Sequence, residues 1–414
     1  RRRGSIPLRI APSPASMIFL SYWFFVFACG FFALYLLPLI PAVRRVVLLA
    51  SCLLFQVHFA GPAGMAPIVV LAAITYLCAL SGRRAWMSAG IAAAVATLVF
   101  YKYLVFLAVD GLGMIAPALG QAAAADLRGI LPEAPPLAIS FFVFEFVHYL
   151  IEVRRGGAPI RSPIDFVLFA AFWPSLVAGP IKRYQQFLPA LEQGVRGVAG
   201  SDLVVGALRV ATGLAKKFTA DYLGQVVAFW ADNLAMLPRG ERFGILLAIG
   251  LRILFDFSGY SDMAIGFARM MGIRLPENFN WPYLATSLTQ FWQRWHISLS
   301  SWVRDYVYIP LGGGRRGLVR QVANGVAAFA AVGLWHGAGW NFLVWGLYHG
   351  AGLGLSTLVL RSGARLWPAM PTALRYATMA LGWSATMAFV LVGWLFFFYP
   401  VPRAWDMLRL IVAR

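Results

Sequence analysis

Apolar runs of about twenty residues recur along almost the whole chain. A run of that length is what a helix needs to cross the hydrocarbon of a bilayer. Candidate spans lie near 17–40, 46–60, 65–80, 86–109, 137–152, 203–215, 218–237, 243–255, 321–334, 340–360 and 375–399. Several are short or interrupted, so nine to twelve transmembrane helices are expected. Of the residues, 60% are hydrophobic and 12% are charged, against roughly 25% charged in soluble domains. No period-two alternation of the β-barrel kind is present. The fold class is an all-α polytopic membrane protein, with the lipid bilayer as its first partner.

The formal net charge of +19 invites a nucleic-acid reading, but the arginines are distributed as in cytoplasmic loops of membrane proteins. Arg44 and Arg45 follow the first span, the next turn (GPAGMAP) is neutral, and Arg83 and Arg84 follow. The loop 110–136 carries three acidic residues and one basic, and Arg154, Arg155 and Arg161 come after the next span. This predicts cytoplasmic loops at 41–45, 81–85 and 153–162, an external loop at 110–136, an external Met17 end and no nucleic-acid partner. Residues 1–16 (RRRGSIPLRIAPSPAS) break the pattern and read as a disordered extension or an expression remnant, with Met17 a plausible natural start. Residues 17–414 read as one membrane domain. Cys29, Cys52 and Cys78 lie singly in apolar spans without metal-ligand spacing, so no metal site is expected.

Two segments do not read as straight spans. The stretch 163–190 carries Pro163, Pro174, Pro180 and Pro189, which predicts a broken or re-entrant element. Such backbone is tolerated at membrane depth only where protein or water satisfies it. The stretch 255–283 sets Asp256, Asp262, Arg269 and Glu277 among apolar residues, and ionisable groups at that depth are functional candidates by default.

The densest chemistry lies at 291–314, FWQRWHISLSSWVRDYVYIPLGGG. At 100° per residue Trp292, Trp295, Leu299, Trp302 and Tyr306 share one face. Arg294, Ser298, Ser301 and Asp305 share the other, with His296 at the border. This predicts an interfacial amphipathic helix. His296 there is either an interface anchor or a functional imidazole. His336 stands in GLWHGAGWNF, between Trp335 and Gly337, with Asn341 following, where glycines permit close approach. A neutral imidazole in that setting is a candidate general base. His58 and His349 read as packing residues. His148 has Glu145 and Glu152 one turn away on either side, close enough to fix its tautomer. GGGRRG at 312–317 lacks the P-loop ending. It reads as a basic turn or as a contact for a phosphorylated donor through Arg315 and Arg316. There is no GxSxG elbow.

With these residues in view, the chain resembles the membrane-bound O-acyltransferase family, in particular its bacterial polysaccharide-acetylating branch. The matching texts are ISFFVFEFVHYLIEVRRG (139–156), FWPSLVAGPIKRY (172–184), FDFSGYSDMAIGFARMMGIRLPENFNWPY (255–283), FWQRWHISLSSWVRDYVYIPLGG (291–313) and GLWHGAGWNFLVWGLYHG (333–350). The resemblance implies a helical bundle around a transmembrane tunnel, with a motif-bearing core at 139–350. It implies a catalytic His336, from the WHG context, and a second family histidine at His296, from the RWHISLS context. It further implies a cytoplasmic donor, acetyl-CoA or another acyl thioester, with no permanently bound cofactor. An acetyl group would pass across the inner membrane to an exported or cell-wall polysaccharide, through a separate periplasmic acetyltransferase and a glycan acceptor. Arg294, Arg304, Asp305, Arg315 and Arg316 are expected to contact the donor, and Tyr260, Asp262 and Asn341 to line the site. Competing readings are D-alanyl or longer-acyl transfer on the same fold, a transporter, or a scaffold subunit of an exopolysaccharide export complex.

Overall fold

The computed structural model describes residues 18–363 and 370–413. The expectations for residues 1–16 and for Met17 lie outside the described residues. The described chain is helical throughout, with no strand among the described residues. The helices used below are α1 (Tyr22–Tyr35), α2 (Pro41–Leu80), α3 (Arg84–Lys102), α4 (Pro117–Ile130), α5 (Ile139–Arg154), α6 (Pro163–Ala171) and α7 (Tyr184–Arg196). They continue with α8 (Gly200–Ala231), α9 (Arg239–Met270), α10 (Leu288–Arg294), α11 (Ile297–Val303), α12 (Leu318–His336), α13 (Trp340–Gly363), α14 (Thr372–Phe398) and α15 (Val401–Val412). By length and composition six described helices are able to cross a membrane, or seven if the pair α7 and α8, bent by 118°, forms one span. The apolar windows 203–215 and 218–237 are not separate spans, because α8 runs unbroken through most of both.

Local chemistry sets several helix ends. Ser21, Ser162 and Ser287 each cap a helix by accepting a backbone N–H, from Phe24, Asp165 and Gln290. Pro163 occupies the first turn of α6, where its missing N–H costs no hydrogen bond. Gly61, with φ 66° and ψ 169°, breaks α2 next to Pro62. The chain turns back there, so both ends of α2 meet the same neighbours. Arg45 pairs with Asp165 at 3.0 Å, and Tyr76 donates to the carbonyl of Arg161 at 2.6 Å. The loops 41–45, 81–85 and 153–162 therefore share one end of the bundle, here the basic end. At the opposite end the hydroxyl of Tyr103 bonds the carbonyl of Leu334 at 2.6 Å, and Trp340 bonds Asp110 at 3.2 Å.

The break expected within 163–190 is present. After α6 the chain runs without regular structure through 172–183, and almost every residue there is buried. Trp173 anchors it inside an aromatic cluster with Phe24, Phe27, Phe31, Phe55 and Phe267, at ring separations of 5.5–6.1 Å. The backbone N–H of Ile181 is satisfied by the Ser298 hydroxyl at 3.0 Å. By contrast, 255–270 is continuous helix, the end of α9, and only 271–281 is irregular. Helices α8 and α9 approach closely because glycines face each other. A Cβ on Gly213 would lie 2.6 Å from the carbonyl oxygen of Gly259, and one on Gly266 would lie 2.7 Å from that of Gly206.

The stretch 291–314 is not one interfacial helix. It is α10, a break at Trp295–His296, α11, and a wide turn over Arg304–Tyr308. Trp292, Trp295, Leu299, Trp302 and Tyr306 are all buried in protein. The helical stripe was real, but bundle helices cover it instead of lipid: Trp302 stacks on Phe144 at 4.1 Å, and Trp295 packs on Trp394 at 4.9 Å.

Candidate active site

The break between α10 and α11 falls at His296. Its backbone is left-handed, φ 43°, a conformation a non-glycine residue adopts only when its surroundings enforce it. The enforcing segment is the extended strand of chain after α9. Asn280 N–H bonds the Arg294 carbonyl at 2.9 Å, and Ile297 N–H bonds the Asn278 carbonyl at 3.0 Å. The Asn278 side chain, fully buried, then fixes the imidazole. Its Oδ1 lies 3.0 Å from His296 Nδ1 and also accepts from the Ser298 hydroxyl at 2.9 Å. Its amide donates to Ser261 at 3.1 Å. An acceptor at Nδ1 assigns the proton to that nitrogen and leaves His296 Nε2 as a lone-pair acceptor.

His336 ends α12. Among the described residues neither of its ring nitrogens has a hydrogen-bond partner. Trp335, Trp345 and Phe397 surround the ring at centroid distances of 4.7, 5.3 and 5.0 Å. Both histidines line one cavity of about 620 Å³, which reaches the end opposite the basic loops, bordered by Pro135, Pro136 and Lys102. The Lys102 ammonium donates to the Trp335 carbonyl, the residue before His336. A second, mostly apolar cavity of about 410 Å³ starts from Arg304, Tyr308 and Gln321 and reaches Trp292, Ile297 and Val332. The two cavities thus approach the histidine pair from opposite ends of the bundle.

The remaining sequence candidates divide. Tyr260 lines the histidine cavity, and Arg304 lines the basic-end cavity. Asp262 lines neither, because Arg209 and Lys216 hold it at 3.0 and 2.5 Å. Asp305 is held by Arg183 at 2.5 Å and Arg304 at 2.8 Å. Burial acts to raise its pKa, but the hydrogen bonds from Arg304 and Arg183 outweigh it and hold the carboxyl below the usual carboxylate range. Arg294 borders neither cavity, and Asn341 turns away to the Phe397 carbonyl at 3.4 Å. Arg315 and Arg316 are exposed at the basic end, outside both cavities. Gly337 makes room for a protein ring, since a Cβ there would strike Phe342.

His148 is a structural link. It is fully buried, with Nδ1 2.7 Å from the Tyr306 hydroxyl, which in turn donates to Glu152 at 2.9 Å. Glu145 is engaged elsewhere, paired with the buried Lys182 at 2.5 Å. Sequence reasoning missed Asn278, Lys102, Lys217, Asp221 and Arg252. Asn278 had a signal of its own, an amide inside the aromatic, proline-flanked PENFNWP.

The family model for the membrane-bound O-acyltransferase family matches residues 134–401. The chain belongs to that family. It is 36% identical over 317 residues to a probable alginate O-acetylase of Azotobacter vinelandii, a match covering 75% of this chain and 59% of the relative. A peptidoglycan O-acetyltransferase of Helicobacter pylori is 31% identical, covering 76% and 62%. A teichoic acid D-alanyltransferase of Bacillus subtilis is 31% identical, covering 52% and 58%. The matches therefore span about 60% of the length of these curated relatives. The matched region contains both histidines and every residue lining the two cavities except Lys102.

Proposed function

We propose that this chain is an O-acyltransferase that moves an acyl group, acetyl in the first instance, from a thioester donor to an exported or cell-wall polysaccharide. The observation that carries the reading is the histidine pair set between cavities that open toward opposite ends of a membrane bundle. The donor is acetyl-CoA or another acyl thioester and enters from the basic, cytoplasmic end, with Arg304 at the entrance. The acceptor enters from the other end, on the outer side of the bacterial inner membrane, where a separate periplasmic acetyltransferase takes part.

In this reading His336 takes the proton of the acceptor hydroxyl. The oxygen attacks the thioester carbonyl, the carbon–sulfur bond breaks, and the thiolate leaves and regains a proton from the imidazolium. A general base of this kind contributes roughly 10²–10⁴-fold. His296, with Nδ1 engaged by Asn278, presents Nε2 to the same cavity and orients the reacting hydroxyl. D-alanyl transfer on the same residues is favoured by the similarity to the Bacillus relative alone. The test is sided transfer. Proteoliposomes of defined orientation receive labelled acetyl-CoA on the face carrying Arg83. The reading predicts label on an acceptor on the opposite face, and transfer only when donor and acceptor share a face would refute it.

A further inference from the structure

A cavity of about 480 Å³ opens at the basic end and takes no part in either approach to the histidines. Arg84 at the start of α3, Ile151, Arg154 and Arg155 at the end of α5, and Tyr306 and Pro310 after α11 line it. None of these six lines either of the other two cavities. Three guanidiniums therefore border one space, and no acidic side chain lines it. Arg155 has local partners, bonding Glu152 at 2.8 Å and lying over the Tyr306 ring at 5.4 Å. Glu152 has nothing left for the other two arginines. Its Oε1 also accepts from the Tyr306 hydroxyl at 2.9 Å, and its Oε2 accepts from Gln185 at 3.0 Å. Arg84 and Arg154 are exposed, and neither guanidinium has an ion-pair or hydrogen-bond partner among the described residues. Two positive charges thus stand in excess around the cavity. Like charges gathered this way repel, and a bound oxyanion removes that cost while filling the donor forks of the guanidiniums.

The rim favours one class of oxyanion. Trp86, two residues after Arg84, is 54% exposed, and Ile309 and Leu311, on either side of Pro310, are 41% and 40% exposed. Exposed tryptophan beside arginines at one end of a membrane bundle marks the level of the lipid headgroups. A soluble phosphate would use the arginines alone, whereas an apolar rim at headgroup level suits a phosphate that carries acyl chains. We propose that this cavity holds the phosphate of an anionic phospholipid from the leaflet at the basic end. Arg84 and Arg154 donate to its two free oxygens, Arg155 adds charge from its place on Glu152 and Tyr306, and the acyl chains lie against Trp86 and Ile309. The site selects an anionic lipid over a zwitterionic one, because a choline headgroup would bring a cation to a cavity already in excess of cations.

The test is a melting titration of the purified full-length protein in a neutral detergent, with phosphatidylglycerol or phosphatidylcholine added to the micelles. A ligand that binds only the folded state raises the melting temperature as it fills its site. Phosphatidylglycerol raises it at concentrations where phosphatidylcholine does not. Arg84→Gln with Arg154→Gln moves the half-maximal phosphatidylglycerol concentration upward about tenfold or more, as expected for lost hydrogen bonds between charged groups. Neither change strands an internal partner, and Arg154→Gln alone carries the test if the pair does not fold. Arg83→Gln with Arg315→Gln removes the same charge from the same end, outside the cavity. At about 0.15 M salt that pair leaves the half-maximal concentration within about twofold of wild type, because exposed charges beyond the Debye length are screened. An equal loss in the two double variants reduces the effect to general surface charge and overturns the site, as does an equal response to the two lipids. Glycerol 3-phosphate and acetyl-CoA, each added without lipid, separate the sources of phosphate. A melting shift with either one that Arg84→Gln with Arg154→Gln abolishes assigns the cavity to a soluble phosphate and overturns the lipid.

Discussion

Replacing Asn278 separates orientation from packing at the candidate site. Its Oδ1 serves His296 Nδ1 at 3.0 Å and the Ser298 hydroxyl at 2.9 Å, and its amide serves Ser261 at 3.1 Å, all inside the protein. Asn278→Ala leaves buried groups unpaired, and each such group costs about 1–3 kcal/mol. Loss of two to three satisfied groups predicts destabilisation of roughly 3–5 kcal/mol, read as a lower melting temperature in detergent, together with loss of turnover. Asn278→Asp is the sharper variant. It keeps the Oδ1 acceptor but places a carboxylate within hydrogen-bond reach of His296. A neighbouring negative charge favours the imidazolium and raises a histidine pKa by roughly 1–3 units. The neutral ring then exists only at higher pH, so the acid limb of the pH–rate profile moves upward by a similar amount. Kinetics of acetyl transfer from pH 5 to 9 give the answer. An Asn278→Asp enzyme that melts near wild type and keeps its acid limb in place refutes the idea that a neutral His296 takes part.

Three further outcomes follow from particular contacts. Glu145→Ala strands the buried Lys182 charge and costs about 3–5 kcal/mol, and adding Lys182→Met recovers most of it in thermal melts; a single variant that melts like wild type contradicts the pairing at 2.5 Å. Arg304→Gln raises the donor KM more than Arg315→Gln with Arg316→Gln, because Arg304 alone of the three lines a cavity, and steady-state kinetics at low salt show the order. In a cysteine-free background, single cysteines at positions 43, 83 and 158 label from one side of the membrane and one at position 112 from the other. Labelling of 43 and 83 from opposite sides refutes the turn at Gly61.

Much of this was legible in the sequence, for physical reasons. Hydrocarbon length fixes the apolar windows, and proline at 163, 174, 180 and 189 marked the broken element. His336 and His296 were visible because imidazoles are rare in this chain and stand beside tryptophans and glycines. The amphipathic stripe of 291–314 misled about its surroundings, since a period of 3.6 states which face is apolar but not whether lipid or Trp394 covers it. Neither the left-handed turn at His296 nor the Asn278 bond behind it has a periodic signature, because both depend on a segment almost twenty residues earlier. The ion cluster of Lys217, Asp221 and Asp256 at the histidine cavity stayed hidden for the same reason: two helices must cross at Gly213 and Gly259 before one lysine faces two aspartates.

In the proposed reaction His336 is the base of an acyl transfer. That role is tested most directly by single-turnover acetyl transfer from labelled acetyl-CoA with wild-type and His336→Ala protein of matched expression and melting temperature. The rate falls by about 10²–10⁴-fold in the variant, with donor binding retained. A folded His336→Ala protein that transfers acetyl within a few fold of wild type would contradict it.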